Sequence, residues 1–377
     1  MAEPVGARQP SATLFLGGDV MTGRGIDQVL AHPSDPRLFE PYVSSAEAYV
    51  ALAEKAHGAI APPVAYDYVW GDAIGELVDL RPDARIINLE TAITKSGDAW
   101  PGKGIHYRMH PDNVACLTAA GIDCCTLANN HVLDWGHRGL AETLAVLRQA
   151  GLKTAGAGAS AANAAAPARI ELSSGGRVLV CACATEDCGV PPAWAAGKKQ
   201  PGINLLDAPS AKQADRIAKQ VESVRRPGDI VVVCIHWGGN WGYAIPAPQR
   251  AFAHQLIDAG GADLVCGHSS HHPKGMEVHR AKLILYGCGD LVNDYEGIGG
   301  HEAYRPELAL LYFPTLELGS GRLMRLVLTP MRMNRFRLGR AGEADARKLL
   351  AMLNREGQAL GTAFGRRADG RFELLSA

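Results

Sequence analysis

The sequence lacks an excess of charge of either sign: 38 Lys and Arg stand against 39 Asp and Glu, a formal net charge of -1. No global field draws nucleic acid or an anionic membrane to such a chain, and neither is expected as a partner. Apolar runs long enough to span a bilayer are also missing. The segment Met1 to Pro10 is polar, carries Glu3 and Arg8, and has no apolar stretch of the kind a secretion signal needs, so the expected location is cytoplasmic. No linker, repeat or low-complexity block divides the 377 residues. One domain is therefore expected over residues 1–377, with a core of about 12–333 and a C-terminal helix and tail over 334–377. Cysteine is not scarce, but its number, nine, is odd and most of the residues lie inside apolar segments such as Val178 to Cys183. They read as reduced core residues. Cys181 and Cys183, with Cys188 nearby, raise zinc as an alternative, which the i,i+2 spacing on a strand pattern disfavours.

What the sequence does contain is an alternation of short β-like runs with helical stretches, the pattern of a layered α/β protein. Expected strands are Thr13 to Gly17, Arg85 to Leu89, Cys124 to Leu127, Arg177 to Cys183, Asp229 to Ile235, Ala262 to Cys266 and Lys282 to Tyr286. Several are apolar throughout, as strands buried on both faces must be. Helical periodicity falls on Pro111 to Ala120, Gly139 to Ala150, Ala208 to Val224 and Ala247 to Ala259. Two longer β runs, Leu308 to Leu318 and Leu323 to Met333, flank a Gly-Ser-Gly turn and predict a hairpin. Glu343 to Leu360 predicts a terminal amphipathic helix, and Phe372 to Leu375 a last strand. Ala155 to Ala168 predicts a surface crossing.

Metal-ligand residue types recur where the apolar runs end. Leu14 to Gly18 leads into Asp19, Ile86 to Leu89 into Glu90, Val231 to Ile235 into His236, Leu264 to Gly267 into His268, and Cys124 to Ala128 into Asn129, Asn130 and His131. Ligands collect at the carboxyl ends of strands in open α/β sheets. Taken singly, Asp19 reads as a turn residue, Glu90 as a helix N-terminal carboxylate and the asparagines as caps. Five placements at one structural position instead predict a mixed oxygen and imidazole centre for two divalent cations, suited to Mn, Fe or Zn. Such a pair lowers the pKa of a shared water. His131, beside Asn130, is the candidate acid or base.

The segments Gly17 to Arg24, Asn88-Leu89-Glu90, Leu127 to His131 with Asp134 and Gly136, His236-Trp237-Gly238, and Gly267-His268 with His271 together resemble the CapA family. That family is named for poly-γ-glutamate capsule synthesis and shares the calcineurin-like metallophosphoesterase fold, and order and spacing agree over residues 12–295. The resemblance implies an α/β fold of the metallo-dependent phosphatase type, a four-layer αββα sandwich of two mixed sheets. It also implies metal ligands at Asp19, Glu90 (bridging), Asn130, His236, His268 and His271, a catalytic histidine at His131, and Asp134 as its orienting partner. His272 competes with His271 for the last ligand position. Met21 stands where calcineurin-like phosphatases carry a histidine, and a thioether is a poor ligand for a hard cation.

Three reactions follow. The first choice is hydrolysis of an amide or peptide-like bond, with a γ-glutamyl linkage as one form. The second is Cα epimerisation of a peptide, since CapA-like proteins include epimerases of lasso-peptide tryptophan. Phosphoester hydrolysis is third. The expected partner is a peptide or amide-type substrate, and a homo-oligomer stays open. Arg24 and Arg108 offer guanidinium forks for a carboxylate or phosphate, with surface ion pairing as the alternative. Trp237 and Trp241 are read as cleft or core residues. The remaining histidines His32, His57, His137, His254 and His279 are assigned no role. The loops Ala31 to Ala65, Thr94 to His106, Thr185 to Pro201 and Asn293 to Arg305 are expected to shape the substrate pocket.

Overall fold

A computed structural model describes residues 10–376 and shows a mixed α/β protein built on a ten-stranded and a seven-stranded sheet, both mixed. In the first sheet the strands Lys153–Ala155, Cys124–Thr126, Ala84–Leu89 and Ser11–Val20 run parallel in that order. The antiparallel Leu308–Glu317 and Leu323–Asn334 strands continue it. In the second sheet Leu205–Leu206, Arg177–Thr185, Ile230–His236, Leu264–His268 and Lys282–Leu285 are parallel neighbours. The parallel half of each sheet brings several strand C-termini to one end, which is where the ligand-type residues lie.

Alternation along the strands of the second sheet separates its two faces. Val178, Val180, Ile230, Val232, Leu264 and Cys266 join a hydrophobic cluster with Leu14, Leu16 and Ile86 of the first sheet. Leu179, Cys181, Val231, Val233 and Val265 pack instead with Ile217, Val221, Phe252 and Leu256 of the helices Ala211–Glu222 and Ala247–Asp258. Helices follow strands here because Ala214, Ile217, Ala218 and Val221 present one apolar face at i, i+3, i+4 and i+7.

The expected strands and the hairpin are present within a few residues of the limits read from the sequence. Two readings change. The helix expected over Pro111 to Ala120 is split into a 3-10 turn at Pro111–Asn113 and a short helix at Ala115–Ala119. Ala155 to Ala168, expected as a surface crossing, carries the strand Ala157–Gly158 and the helix Ala161–Ala165, with Ala157 and Ala164 buried. The strand expected at Phe372 to Leu375 is present, pairs with Ala363–Arg366 and Leu323–Asn334, and extends the first sheet. All nine cysteines are free and buried. Cys181 and Cys183 belong to the helix-facing cluster, as core packing requires. Among the described residues no helix is long and apolar enough to cross a membrane.

Candidate metal centre

The residues at the converging strand ends come from both sheets. Asp19 sits at a register shift near the end of Ser11–Val20. Gly18, just before it, has no room for a Cβ, which would collide with the Gly289 carbonyl. The absent side chain lets the Asp290–Val292 strand approach, so that Asp290 pairs in register with Asp19. Asn88 Nδ2 donates to Asp19 Oδ1 over 2.8 Å and lies 3.4 Å from His236 Nδ1, joining the two sheets. His236 Nε2 is 3.2 Å from Asn130 Oδ1 and 3.8 Å from Glu90 Oε1. Donor atoms of Asp19, Glu90 and His236 lie within 4.8 Å of one another. His268 Nδ1 is 3.0 Å from Asp19 Oδ1. Asp290 Oδ1 is 2.8 Å from His271 Nδ1 and fixes that ring.

Burial and mutual charge shift the acids and imidazoles of this cluster away from their ordinary pKa values. Burial, then the charges of Asp19 and Asp290, push the Glu90 carboxyl well above its ordinary pKa. Burial likewise raises Asp290. Asp19 is held below its usual range because His268, His236 and Asn88 outweigh its burial. Burial holds the His236 pKa down to about 3, which leaves a neutral imidazole. Glu90 Oε2 is buried with no hydrogen-bond partner, a costly condition for a polar atom, and His268 Nδ1 has only the Asp19 carboxylate, at 3.0 Å. An unpartnered carboxylate oxygen and two buried imidazoles among three buried carboxyl groups are chemically suited to divalent ions of the Mn, Fe or Zn type.

Beside the cluster, His131 Nδ1 lies 2.7 Å from Asp134 Oδ2. Asp134 also accepts from the Tyr107 backbone N–H over 2.7 Å and is ion-paired with Lys103. Burial lowers the His131 pKa to about 4 against the pull of Asp134. The ring is neutral near pH 7, with its Nε2 atom 3.8 Å from Glu90 Oε1. Tyr107 packs edge-on against it with ring centroids 4.5 Å apart. Asn88, Lys103 and Asp290 are absent from the sequence-derived set. Only the Asn-Leu-Glu alternation, which points Asn88 and Glu90 to one face, gave a signal for any of them.

Three proposed substrate contacts are committed elsewhere. Arg24 donates to Asp294 over 2.8 and 2.5 Å and to Glu40 over 2.9 Å, so its fork is occupied by buried carboxylates. Arg108 donates to the carbonyls of Ser96 and Asp35 over 2.9 and 2.8 Å and lies over the Trp135 ring. Trp237 is buried in the helix-facing core, where its indole N–H donates to Tyr286 O over 3.0 Å. His272 receives Gly242 N–H at Nε2 over 3.1 Å and contacts Pro273 O through Nδ1, so loop backbone uses both nitrogens. Met21 is buried and takes a contact from the Tyr295 hydroxyl at 3.5 Å. A cavity of about 400 Å³ adjoins His271 and is lined by Tyr49, Tyr107, Trp241, Tyr295 and His301. The first, second and fourth of the expected pocket loops contribute to its walls, and Arg24, Tyr107, Asn240, Trp241, His271 and Pro306 complete them.

Against known proteins, residues 13–295 match the model of the bacterial capsule synthesis protein family PGA_cap. The chain belongs to that family. A probable polyglutamine synthesis accessory protein of Mycobacterium tuberculosis (strain ATCC 25618 / H37Rv) is 47% identical over 366 residues, covering 97% of this chain and 96% of the relative. Capsule biosynthesis protein CapA of Bacillus anthracis is 30% identical over 196 residues, 51% of this chain and 45% of that protein. PGA biosynthesis protein CapA of Bacillus subtilis (strain 168) is 26% identical over 280 residues, 74% of this chain and 62% of that protein.

Proposed function

We propose that this chain is a divalent-metal-dependent hydrolase of an amide or peptide-like bond, built on a four-layer αββα core of the metallophosphatase type. The supporting observation is the unpartnered buried Glu90 carboxylate oxygen amid Asp19, Asp290, His236 and His268, with the His131–Asp134 pair at its edge. Relatives named for polyglutamine synthesis and PGA biosynthesis support a polyamide substrate, of which a γ-glutamyl linkage is one form.

Asp19, Glu90, Asn130, His236, His268 and His271 would hold the ions. Bound cations of this class polarise a carbonyl and lower the pKa of water toward neutrality. Asp134 keeps the His131 proton on Nδ1, so Nε2 is the atom that takes a proton from the attacking water and returns it to the departing amine. Lys103 anchors Asp134. Tyr107 shields one edge of the His131 ring from water. The polyaromatic cavity next to His271 is the place for the substrate flank.

Purified protein loaded with Mn, Fe or Zn is expected to release amine from γ-glutamyl or α-peptide substrates, and His131→Ala to abolish that release. Metal-loaded protein that releases no amine from either substrate type overturns the reading. Phosphate release from an aryl phosphate, or deuterium uptake into uncleaved peptide, would then identify phosphoester hydrolysis or epimerisation.

A further inference from the structure

Behind the oxygen-rich centre, two neighbouring strands carry the same short pattern in register. Ile230–His236 ends Cys234-Ile235-His236, and Leu264–His268 ends Cys266-Gly267-His268. Parallel pairing sets Cys234 against Cys266 and His236 against His268. Because side chains two apart on a strand share a face, the four form a square, with a histidine row at the strand ends and a thiol row one pleat deeper. Donor atoms of Cys234, Cys266 and His268 all lie within 4.8 Å of one another. Cys288 adds a further thiol, with its Sγ 3.4 Å from Cys266 Sγ.

The His268 ring divides its two nitrogens between these environments. Nδ1 is 3.0 Å from Asp19 Oδ1, and Nε2 is 3.5 Å from Cys266 Sγ. Ligand atoms around a tetrahedral zinc stand roughly 3.5–3.8 Å apart; the 3.5 Å from Cys266 Sγ to His268 Nε2 falls in that range and the 3.4 Å between Cys266 and Cys288 lies at its edge. Sulfur donors favour zinc, cobalt or cuprous ions over the harder cations that suit carboxylates.

We propose that Cys234, Cys266 and His268, with Cys288 in reach, form a separate site for a thiophilic metal ion, joined to the carboxylate centre through the His268 ring. Binding displaces one proton from each thiol that ligates, and two thiolates balance the charge of a divalent ion. With Nε2 as the ligand the His268 ring keeps its one proton on Nδ1, toward Asp19 Oδ1, and that proton also leaves when Nδ1 ligates an ion of the outer centre. The site stands whether or not the outer centre hydrolyses anything. Its relation to that centre is a common imidazole, so loading one site constrains a ligand of the other.

The test uses the full chain produced in cobalt-supplemented medium. Cobalt bound by sulfur gives an intense near-ultraviolet thiolate-to-metal band that oxygen and imidazole ligands do not produce. That band is expected in the wild-type protein, to be lost in Cys266→Ser and retained in Cys181→Ser, whose side chain faces the helices. The weaker visible bands of the carboxylate centre are expected in all three. Should Cys266→Ser fail to fold, X-ray absorption of the zinc-loaded wild-type protein decides, with sulfur scatterers expected at about 2.3 Å. Cobalt retained without the ultraviolet band, zinc surrounded by oxygen and nitrogen alone, or no retained metal would each overturn the proposal.

Discussion

Asp134 Oδ2 lies 2.7 Å from His131 Nδ1, with Lys103 Nζ 3.0 Å from the same nitrogen, and in the tautomer that donates Nδ1–H to Asp134 the imidazole presents an unprotonated Nε2 toward Glu90. An amide at position 134 offers either an N–H or a C=O to the ring and removes this control of the tautomer. Asp134→Asn is therefore expected to reduce kcat/KM of metal-loaded protein by about 10²–10⁴, the usual range for a positioned acid–base group. Circular dichroism and metal content should stay near wild type. Unchanged turnover would remove His131 from the chemistry.

Glu90 predicts a crossing of two stability effects. In metal-free protein the Glu90→Gln variant loses an acid whose pKa is raised by burial and then by Asp19 and Asp290, so the cost of folding that group is removed and its Tm is expected to rise. Added Mn should raise the wild-type Tm as binding to the native state demands, by about 2.7 kcal/mol of stability at one hundred times Kd. The variant should lose most of that increment. Thermal scans with chelator and with Mn check both arms, and a variant with a full Mn response would exclude Glu90 as a ligand.

Arg24 tests burial of charge instead of catalysis. It is enclosed by Asp294, Glu40 and the Tyr49 ring, the last 3.7 Å from the guanidinium carbon. Arg24→Ala leaves two buried carboxylates without their counter-ion and is expected to cost roughly 3–5 kcal/mol in urea unfolding. Adding Asp294→Asn and Glu40→Gln should restore much of the loss. A small effect of the single change would mean that the fork is free for substrate after all.

Glu277 supplies a pH dependence away from the centre. Burial raises its pKa, but hydrogen bonds from Arg250 at 2.7 and 3.1 Å, Tyr286 at 2.6 Å and His254 at 3.0 Å outweigh burial and place it below 4.5. A carboxyl whose folded pKa is lowered contributes fully above its unfolded pKa and loses that contribution as pH falls through the folded value. Glu277→Gln is therefore expected to be less stable by about 1 kcal/mol near pH 7, at the low end because Arg250 is partly solvated. The gap to wild type should close below the ordinary glutamate value of 4.5. A gap that stays constant from pH 7 to pH 3 would show that charge is not what Glu277 contributes.

The strands that carry His236 and His268 were legible because Val231 to Ile235 and Leu264 to Cys266 are buried on both faces and therefore apolar without interruption. Asp19, Glu90 and Asn130 could be found because each follows such a run. Asp290 and Lys103 could not, since their roles arise from contacts with His271 and Asp134 that are distant in sequence or lie across a loop. For Arg24, Arg108 and Trp237 the sequence left two readings open, for a related reason. A guanidinium or an indole has the same letter whether it faces a ligand or is closed off by Asp294, Ser96 or Tyr286. Neither was the paired Cys-x-His pattern visible as a pair, because the register that places Cys234 opposite Cys266 is a property of the sheet.

The bonds from Asn88 and Asp19 to His236 and His268 run from one sheet to the other at a single end of the molecule. They act as a latch. Any sliding of one sheet over its neighbour would misalign all of these partners together, and a strain applied at the latch cannot be relieved one contact at a time. Mutational damage to the interface between the sheets should accordingly disable the ligand cluster as a unit, long before either sheet unravels.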